Sequence, residues 1–405
     1  MSKSDHADLR PEQATIPPGH PWNRLPMIGA GLAVLGAAAC AILGAANPKQ
    51  FFFSWLVSFL FFQSLALGAL FFVLIQYATQ GGWGIVLRRI GETVFTTVPV
   101  MAALFIPLLF GLQELYEWSV PGAAEHDALL RWKAPYLNVP FFVVRAIVYF
   151  AFWIACAWLL NKWSSAQDRG TESIDRAGMV RFRTLSAPGI LFLVLTITFA
   201  MTDWVMSLDP HWFSTIFGLM FTAGFGLGSF ALLIAVLSAV GPTGTLAPIL
   251  KPRHFHDLGK LLLAFTMLWA YLNFSQFLII WSGNLPEEIP WYVERFRGGW
   301  GVVAMALVLG HFALPFLLLL SEDLKKSRWL ARVAMFILVM RLVDITWLVS
   351  PTFEHHGFPI HWMNVAIPAG LVGIWLFFFA RQLRSRALMP FNDPFFKEAF
   401  AHDAH

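Results

Sequence analysis

The sequence has little charge and almost no cysteine. Only 13% of its 405 residues are charged, and its two cysteines, Cys40 and Cys156, both lie within apolar runs. A soluble protein of this size carries about a quarter charged residues, so the composition is not that of a soluble protein. Two separated cysteines also exclude a disulfide framework, a four-cysteine iron–sulfur cluster and a haem attached through C-x-x-C-H on this chain.

Most of the chain consists of long apolar runs. Hydrophobic residues make up 58% of the chain, and about 20 of them in succession span a bilayer. Ten runs are long enough, and we number these predicted spans 1 to 10: residues 25–46, 51–77, 91–112, 138–160, 187–208, 211–239, 258–282, 299–320, 328–349 and 361–380. The sequence therefore predicts an all-α polytopic membrane protein with a transmembrane domain over 25–380 and tails at 1–24 and 381–405.

The distribution of Lys and Arg predicts the orientation of the spans. An even number of spans places both tails on one side of the membrane. The loops and tails on that side, with Arg88 and Arg89 assigned to the loop between spans 2 and 3, hold twenty Lys and Arg residues, and the other side holds five. Because short segments rich in Lys and Arg stay in the cytoplasm, we expect both tails to be cytoplasmic.

Four of the charged residues inside the predicted spans lie at one common depth. Arg145 is in span 4, Asp203 is near the end of span 5, and Arg341 and Asp344 stand three residues apart in span 9. The helical rise places all four roughly 8 to 12 Å below the same membrane surface. Their charges cancel, which predicts ion pairing, because an isolated charge in hydrocarbon is costly. A structural cluster fits this pattern, and so does a polar cavity that binds a head group or passes protons.

Other titratable residues extend this candidate path. Glu92, Asp257 and Lys260 lie near the predicted cytoplasmic side, His311 lies between the two halves of the membrane, and His211 opens predicted span 6. Intramembrane carboxylates and histidines form the proton relays of pumps and transporters. These residues are therefore the candidates for a proton path.

Proline and glycine mark two further positions. Pro315 lacks the N–H that would bond the His311 carbonyl, which predicts a weakened turn beside a titratable ring. Gly224 and Gly228 share one face of span 6, a spacing that lets transmembrane helices approach closely. No predicted span carries two well-embedded histidines, so we expect neither b-type haem nor any flavin or iron on this chain.

Two stretches carry a family resemblance. The hairpin TDWVMSLDPHWFSTIF, residues 202–217, resembles that of the polysulfide-reductase membrane-subunit (NrfD-like) family. The stretch LNFSQFLIIWSGNLPEEIPWY, residues 272–292, is similar to a branch of that family found in bacterial alternative complex III, a quinol:cytochrome c oxidoreductase. The resemblance extends over all ten spans. It implies two four-helix bundles, spans 2–5 and 6–9, flanked by the outer spans in the bacterial inner membrane.

The resemblance also implies partners and cofactors. The expected partners are a paralogous NrfD-like membrane subunit, an iron–sulfur protein, haem c subunits, small membrane anchors, lipid and quinol, with no nucleic acid. Haem c and iron–sulfur clusters are then expected on the partner subunits. Asp203 matches the quinol-site Asp of the paralogous subunit by motif. Here, however, His211 precedes Trp212, whereas the His follows the Trp in the paralogue, so no quinone-binding residue is assigned.

These patterns predict a redox-inert membrane subunit of a quinol-oxidising respiratory complex that passes electrons to cytochrome c or an oxidase. Proton translocation is the favoured role for its buried charges. Two other interpretations stay open from sequence. One is a secondary transporter with the Arg/Asp group as its substrate site, and the other is a pure assembly scaffold.

Overall fold

The computed structural model describes residues 15–43, 47–168, 178–241, 246–247, 250–326, 328–353 and 361–396. Within these ranges every secondary-structure element is a helix, and ten helical segments are long and apolar enough to cross a membrane. The predicted all-α polytopic fold is therefore confirmed. Residues 1–14 and 397–405 of the predicted tails lie outside the described ranges, as do residues 169–177 between spans 4 and 5.

Some spans are single helices and others are composite. The first five are Leu25–Leu43, Pro48–Thr79, Ile85–Phe95 with Val98–Phe110, Val139–Asp168 and Val180–Trp204. The second five are Phe217–Val240, Pro252–Gly283, Trp300–Leu320, Trp329–Val349 and Met363–Arg384. One short helix, Pro21–Arg24, precedes span 1, and others lie between the spans, at Gly82–Gly84, Leu112–Leu115, Glu117–Ser119, Ala123–His126, Ala128–Lys133, Met206–Leu208, Pro290–Phe296, Glu322–Lys326 and Ser350–Thr352.

Several span ends differ from the predicted ones. Span 3 begins at Ile85 rather than at residue 91, so Arg88 and Arg89 are helical and buried, and their assignment to a loop was wrong. Span 4 likewise continues to Asp168, eight residues beyond the predicted apolar run. The polar residues in these extensions pair with one another, so hydropathy alone could not find the helix ends. Span 6 begins later than predicted, at Phe217.

The ten spans form two bundles and an outer pair. Spans 2–5 pack in a closed ring, spans 6–9 form a second ring, and spans 1 and 10 pack on each other, with span 10 also against span 2. The two rings meet where span 2 lies on span 6. A Cβ added at Gly68 would stand 2.1 Å from the Phe225 carbonyl oxygen, so these backbones are close enough to require glycine.

Both ends of the described chain lie on one side of this assembly. The Arg384 Nη1 group, at the end of span 10, donates to the Asn23 carbonyl oxygen just before span 1 at 3.3 Å. We call this side the terminal side, and the other the opposite side. Span 2 therefore starts on the opposite side, and so does span 6, which gives the two bundles the same orientation.

Candidate buried ion-pair sites

The first bundle holds an ion pair between two spans. Arg145 of span 4 donates from Nε and Nη2 to the two carboxylate oxygens of Asp203, at 2.8 and 2.9 Å. Tyr149 donates its hydroxyl to the same carboxylate at 2.9 Å, and Arg145 Nη1 reaches the Tyr136 carbonyl oxygen at 2.9 Å. Asp203 is fully buried and Arg145 is only 8% exposed. This bidentate geometry is the strongest form of a charged hydrogen bond.

Aromatic rings fill the first bundle on the terminal side of this pair. Trp204, which follows the aspartate, is fully buried. Its ring centroid lies 4.7 Å from that of Phe105, 5.6 Å from Phe59, 5.7 Å from Phe150 and 5.9 Å from Trp153. On span 4, the two partner rings stand five and eight residues beyond the arginine, which is about 8 and 12 Å along the helix. The middle of the first bundle is therefore packed with large apolar groups.

The second bundle holds an ion pair within one helix. Arg341 Nη1 contacts the Asp344 carboxylate one turn along span 9, and both side chains are about 1% exposed. Trp269 of span 7 donates from Nε1 to the same carboxylate at 3.0 Å. A Cβ at Gly224 would lie 2.5 Å from Arg341 Nη1, and one at Gly228 would lie 3.3 Å from Arg341 Cγ. This glycine face therefore makes room for the arginine side chain, whereas the sequence suggested contact between two helix backbones.

His311 lies beside this second pair. Its ring is fully buried and meets the Trp269 ring edge to face, with centroids 4.3 Å apart. Span 8 is π-helical from Leu307 to Ala313 around it, at the place where Pro315 was expected to weaken the helix. Such π segments are rare and often occur at functional sites.

Several buried polar atoms of the second bundle have no hydrogen-bond partner within the described part of the chain. They are His311 Nδ1 and Nε2, Arg341 Nε and Nη2, Asp344 Oδ1 and Gln276 Nε2. Buried groups of this kind usually bind ordered water when no protein group is near. The core of the second bundle therefore has polar groups that suit internal water, although Gln63, Arg88 and Arg89 of the first bundle also have buried atoms without a partner among the described residues.

The two aspartates occupy equivalent places in the two bundles. Each lies near the end of the fourth span of its bundle, and each is followed by a 3₁₀ turn, Met206–Leu208 in one case and Ser350–Thr352 in the other. A proline stands seven residues after each aspartate, Pro210 and Pro351. This repeat was visible in the sequence and was missed. The predicted ion pairing is confirmed, but the four charges do not form one group, since each bundle holds its own pair.

On the terminal side, Glu92 is the centre of a separate network. It accepts from Tyr77 Oη at 2.8 Å, from Arg89 Nη1 at 2.7 Å and from Ser164 Oγ at 2.7 Å. Arg89 also contacts Ser164 and Asp168. The carboxylate is fully buried within the first bundle, so it does not form one group with Asp257 and Lys260 as the sequence suggested.

The segment after span 10 packs against this network and adds hydrogen bonds to it. Asp393 lies 2.5 Å from Arg88 Nη1, with both side chains fully buried. Asn392 donates from Nδ2 to the Gln167 carbonyl oxygen at 2.9 Å, and Gln167 Nε2 donates back to the Asn392 carbonyl oxygen at 3.2 Å. Burial lowers the pKa of Arg386, although the nearby carboxylates oppose this shift. The described part of the predicted C-terminal tail is therefore a packed element of the fold.

Three predicted site residues lie on the surface. Asp257 and Lys260 are about half exposed and pair only loosely, at 3.4 Å. His211 lies in the turn after span 5, where its Nε2 is 2.7 Å from Asp127, and the sequence placed it wrongly at the start of span 6. The Asp209 carboxylate accepts the His211 backbone N–H at 3.2 Å, a turn geometry typical of Asp before Pro. Hydrogen bonding to His211 lowers the pKa of Asp127.

Sequence reasoning also missed a buried arginine on the opposite side. Arg295, counted among loop charges, is 1% exposed and donates to the carbonyl oxygens of Trp291 and Leu348 at 3.0 and 2.7 Å. Its guanidinium carbon lies 3.4 Å from the centroid of a Trp291 ring. Burial lowers the pKa of Arg295 to about 9. The hydrogen bonds of Arg295 connect the loop between spans 7 and 8 to the end of span 9.

Fold and sites together define a multi-pass helical membrane protein with a buried ion pair in each bundle. No protein-family model matches the chain, and no curated protein matches it significantly. Among the described residues, no group of three or more His, Cys, Asp or Glu side chains is arranged to hold a metal ion. The expectation that this chain carries no haem, flavin or iron stays a prediction.

Proposed function

We propose that this chain is a redox-inert membrane subunit of a quinol-oxidising respiratory complex of the alternative complex III type, and that its second bundle conducts protons. The observation that carries the proton role is the group formed by Asp344, Trp269 and His311, buried in the core of that bundle. The proposed setting is the bacterial inner membrane, with both termini in the cytoplasm.

Membership of such a complex is supported by the resemblance of the hairpin 202–217 and the stretch 272–292. It implied two four-helix bundles, and the described spans pack in two such rings. The proposed partners are a paralogous membrane subunit, an iron–sulfur protein, haem c subunits and small anchors. The electrons would pass through those partners to cytochrome c or an oxidase.

The proton role is supported by the chemistry of the second bundle. His311 has two ring nitrogens, and Asp344 has one carboxylate oxygen, without a partner among the described residues. Both side chains contact Trp269, so water bridging them would connect the middle of the membrane to the opposite side. In the first bundle, the rings around Trp204 fill the corresponding space. The proposed path therefore runs through spans 7, 8 and 9.

A transporter is less well supported. Many secondary transporters interrupt helices at corresponding positions of their two repeats. Here span 3 is interrupted after Phe95 and span 8 contains the π segment Leu307–Ala313. Span 3 is the second helix of its bundle and span 8 is the third, so the interruptions do not correspond.

Purification from its native membrane in mild detergent tests the first half of the proposal. The tagged chain should bring with it an iron–sulfur protein, a second multi-span subunit and subunits that show a haem c spectrum. If the chain purifies alone, or with partners that lack redox centres, the assignment to a quinol-oxidising complex is wrong.

The proton-to-electron ratio of the intact complex in proteoliposomes tests the second half. His311→Phe should lower that ratio, because it removes the titratable ring from the second bundle. Tyr271→Phe is the matched control, since Tyr271 is titratable and near Trp269 on span 7 but is 67% exposed. If His311→Phe and Asp344→Asn leave both the ratio and turnover unchanged, the chain is a scaffold.

A further inference from the structure

A cleft on the opposite side lies between the bundles and the outer helices. It has a volume of about 390 Å³ and is lined by the first turns of spans 2, 8 and 10 and by the last turns of span 9. Val302 and Val365 line it and are 74% and 70% exposed. Both belong to membrane-spanning helices, so the cleft opens sideways towards hydrocarbon.

The lining of the cleft is polar at one end and apolar at the other. His361, Asn364 and Ser350 stand at helix ends on the opposite side, while Ala306 and Pro368 lie further into their spans. Five more lining residues are Val57, Val303, Leu342, Val343 and Val365. This gradient matches a molecule that keeps its head near the membrane surface and its chain in the hydrocarbon.

Two groups at the polar end can donate hydrogen bonds. The Ser350 hydroxyl is buried, in a residue only 2% exposed, and has no partner within the described ranges. His361 Nδ1 accepts the Met363 backbone N–H at 3.3 Å. A neutral ring in that arrangement carries its own proton on Nε2, which leaves Nε2–H as the second donor.

The lining also excludes one class of head group. None of the described side chains that line the cleft belongs to Lys, Arg, Asp or Glu. A phosphate head group is normally held by Lys or Arg. A volume of about 390 Å³ falls within the usual range for small-molecule sites. We propose that this cleft binds a neutral amphiphile, with an uncharged head that accepts hydrogen bonds from Ser350 and His361 and an apolar chain between spans 8 and 10.

Photolabelling of the intact complex in phosphatidylcholine nanodiscs tests this proposal. The probe is decylubiquinone carrying a diazirine on its alkyl chain, and labelled peptides are mapped by mass spectrometry. Labels should fall on spans 8 and 10. Dioctanoylglycerol and dioctanoylphosphatidylglycerol serve as competitors with a neutral and an anionic head. Competition by dioctanoylglycerol points to a glyceride-type ligand, and failure of both competitors points to a quinone-type ligand.

Variants separate binding in the cleft from general membrane partitioning. Ala306→Phe should abolish labelling of the cleft, because Ala306 lies in its exposed wall and a larger ring fills the space. Val308→Phe is the matched control, since Val308 is 55% exposed on the same helix and does not line the cleft. Ser350→Ala with His361→Ala should lower the affinity of the cleft for the probe about tenfold, as loss of one or two hydrogen bonds predicts.

Two results would overturn the proposal. One is equal labelling of the Ala306→Phe and Val308→Phe variants, which would mean adventitious partitioning of the probe. The other is competition by the anionic lipid as strong as that by the neutral one. Photolabelling requires neither electron nor proton transfer, so its failure is distinguishable from failure of the respiratory function.

Discussion

Substitution of Asp203 by Asn tests the buried pair of the first bundle. Asn keeps an acceptor for the Tyr149 hydroxyl but removes the charge that Arg145 meets at 2.8 and 2.9 Å. Arg145 then retains only the Tyr136 carbonyl among its described polar partners. Leaving one buried charge unpaired costs about 3 to 5 kcal/mol, so the folding equilibrium should shift by roughly 10² to 5 × 10³-fold.

A double-mutant cycle isolates the interaction. Arg145→Met should cost a similar amount, because it leaves Asp203 charged and unpaired. The double variant should regain most of the loss, since replacing both charges of a buried pair is often nearly neutral. The assay is the free energy of unfolding in mixed micelles with increasing dodecyl sulfate. Asp257→Asn, at a half-exposed surface position, is the control and should leave the free energy of unfolding unchanged. If the two single changes add within about 0.5 kcal/mol, the pair is not coupled and the reasoning fails.

Three further outcomes follow from the described contacts. Asp393→Asn should lower the unfolding midpoint of the whole protein, because it leaves the fully buried Arg88 without its nearest carboxylate, whereas a free tail would tolerate the change. Gly224→Ala should destabilise by about 1 to 3 kcal/mol, since the new Cβ would displace the Arg341 guanidinium, and an unchanged unfolding midpoint would contradict that contact. An optical spectrum of the isolated chain should show no stoichiometric haem or flavin absorbance, and a Soret band at one haem per chain would refute the prediction.

The sequence contained enough to predict the fold and the ion pairing of the four intramembrane Arg and Asp residues, but not which of them pair. Ten apolar runs required ten helices, because backbone polar groups must be satisfied within the membrane. A common depth also brought Arg145 and Asp203 into one prediction, and the structure places them in contact. The depth of a residue, however, does not show how its helix is rotated about its own axis or to which bundle that helix belongs. It therefore joined Arg341 and Asp344 to the same group, although they belong to the other bundle.

The terminal-side network shows why the rest could not be predicted. Arg88 and Arg89 follow a short polar stretch, so hydropathy and the positive-inside rule both assign them to a loop. Their burial depends on Asp393, which is 305 residues from Arg88 in the chain, and on Asp168 beyond the predicted end of span 4. Pairing over such separations leaves no local pattern in one sequence. The π segment could be predicted only in part, since Pro315 indicated a weakened turn but did not indicate a π-helix.

The two ion pairs differ in what they connect, and the proposed function predicts different roles for them. Arg145 and Asp203 lie on separate spans, so their contact holds spans 4 and 5 together. Arg341 and Asp344 are one turn apart on a single span, so their contact adds nothing to the packing of one helix on another. The first pair therefore suits a structural role, and the second, beside a buried histidine, suits a change of protonation.

The corresponding double variants separate these roles. Arg341→Met with Asp344→Asn should keep the unfolding free energy within about 1 to 2 kcal/mol of the parent, because both buried charges are removed together. It should nevertheless lower the proton-to-electron ratio in proteoliposomes, since the carboxylate of the second bundle is gone. Arg145→Met with Asp203→Asn should leave that ratio unchanged, because the rings around Trp204 already fill the first bundle. If the second double variant lowers the ratio and the first does not, protons cross through the first bundle and the assignment of roles is reversed.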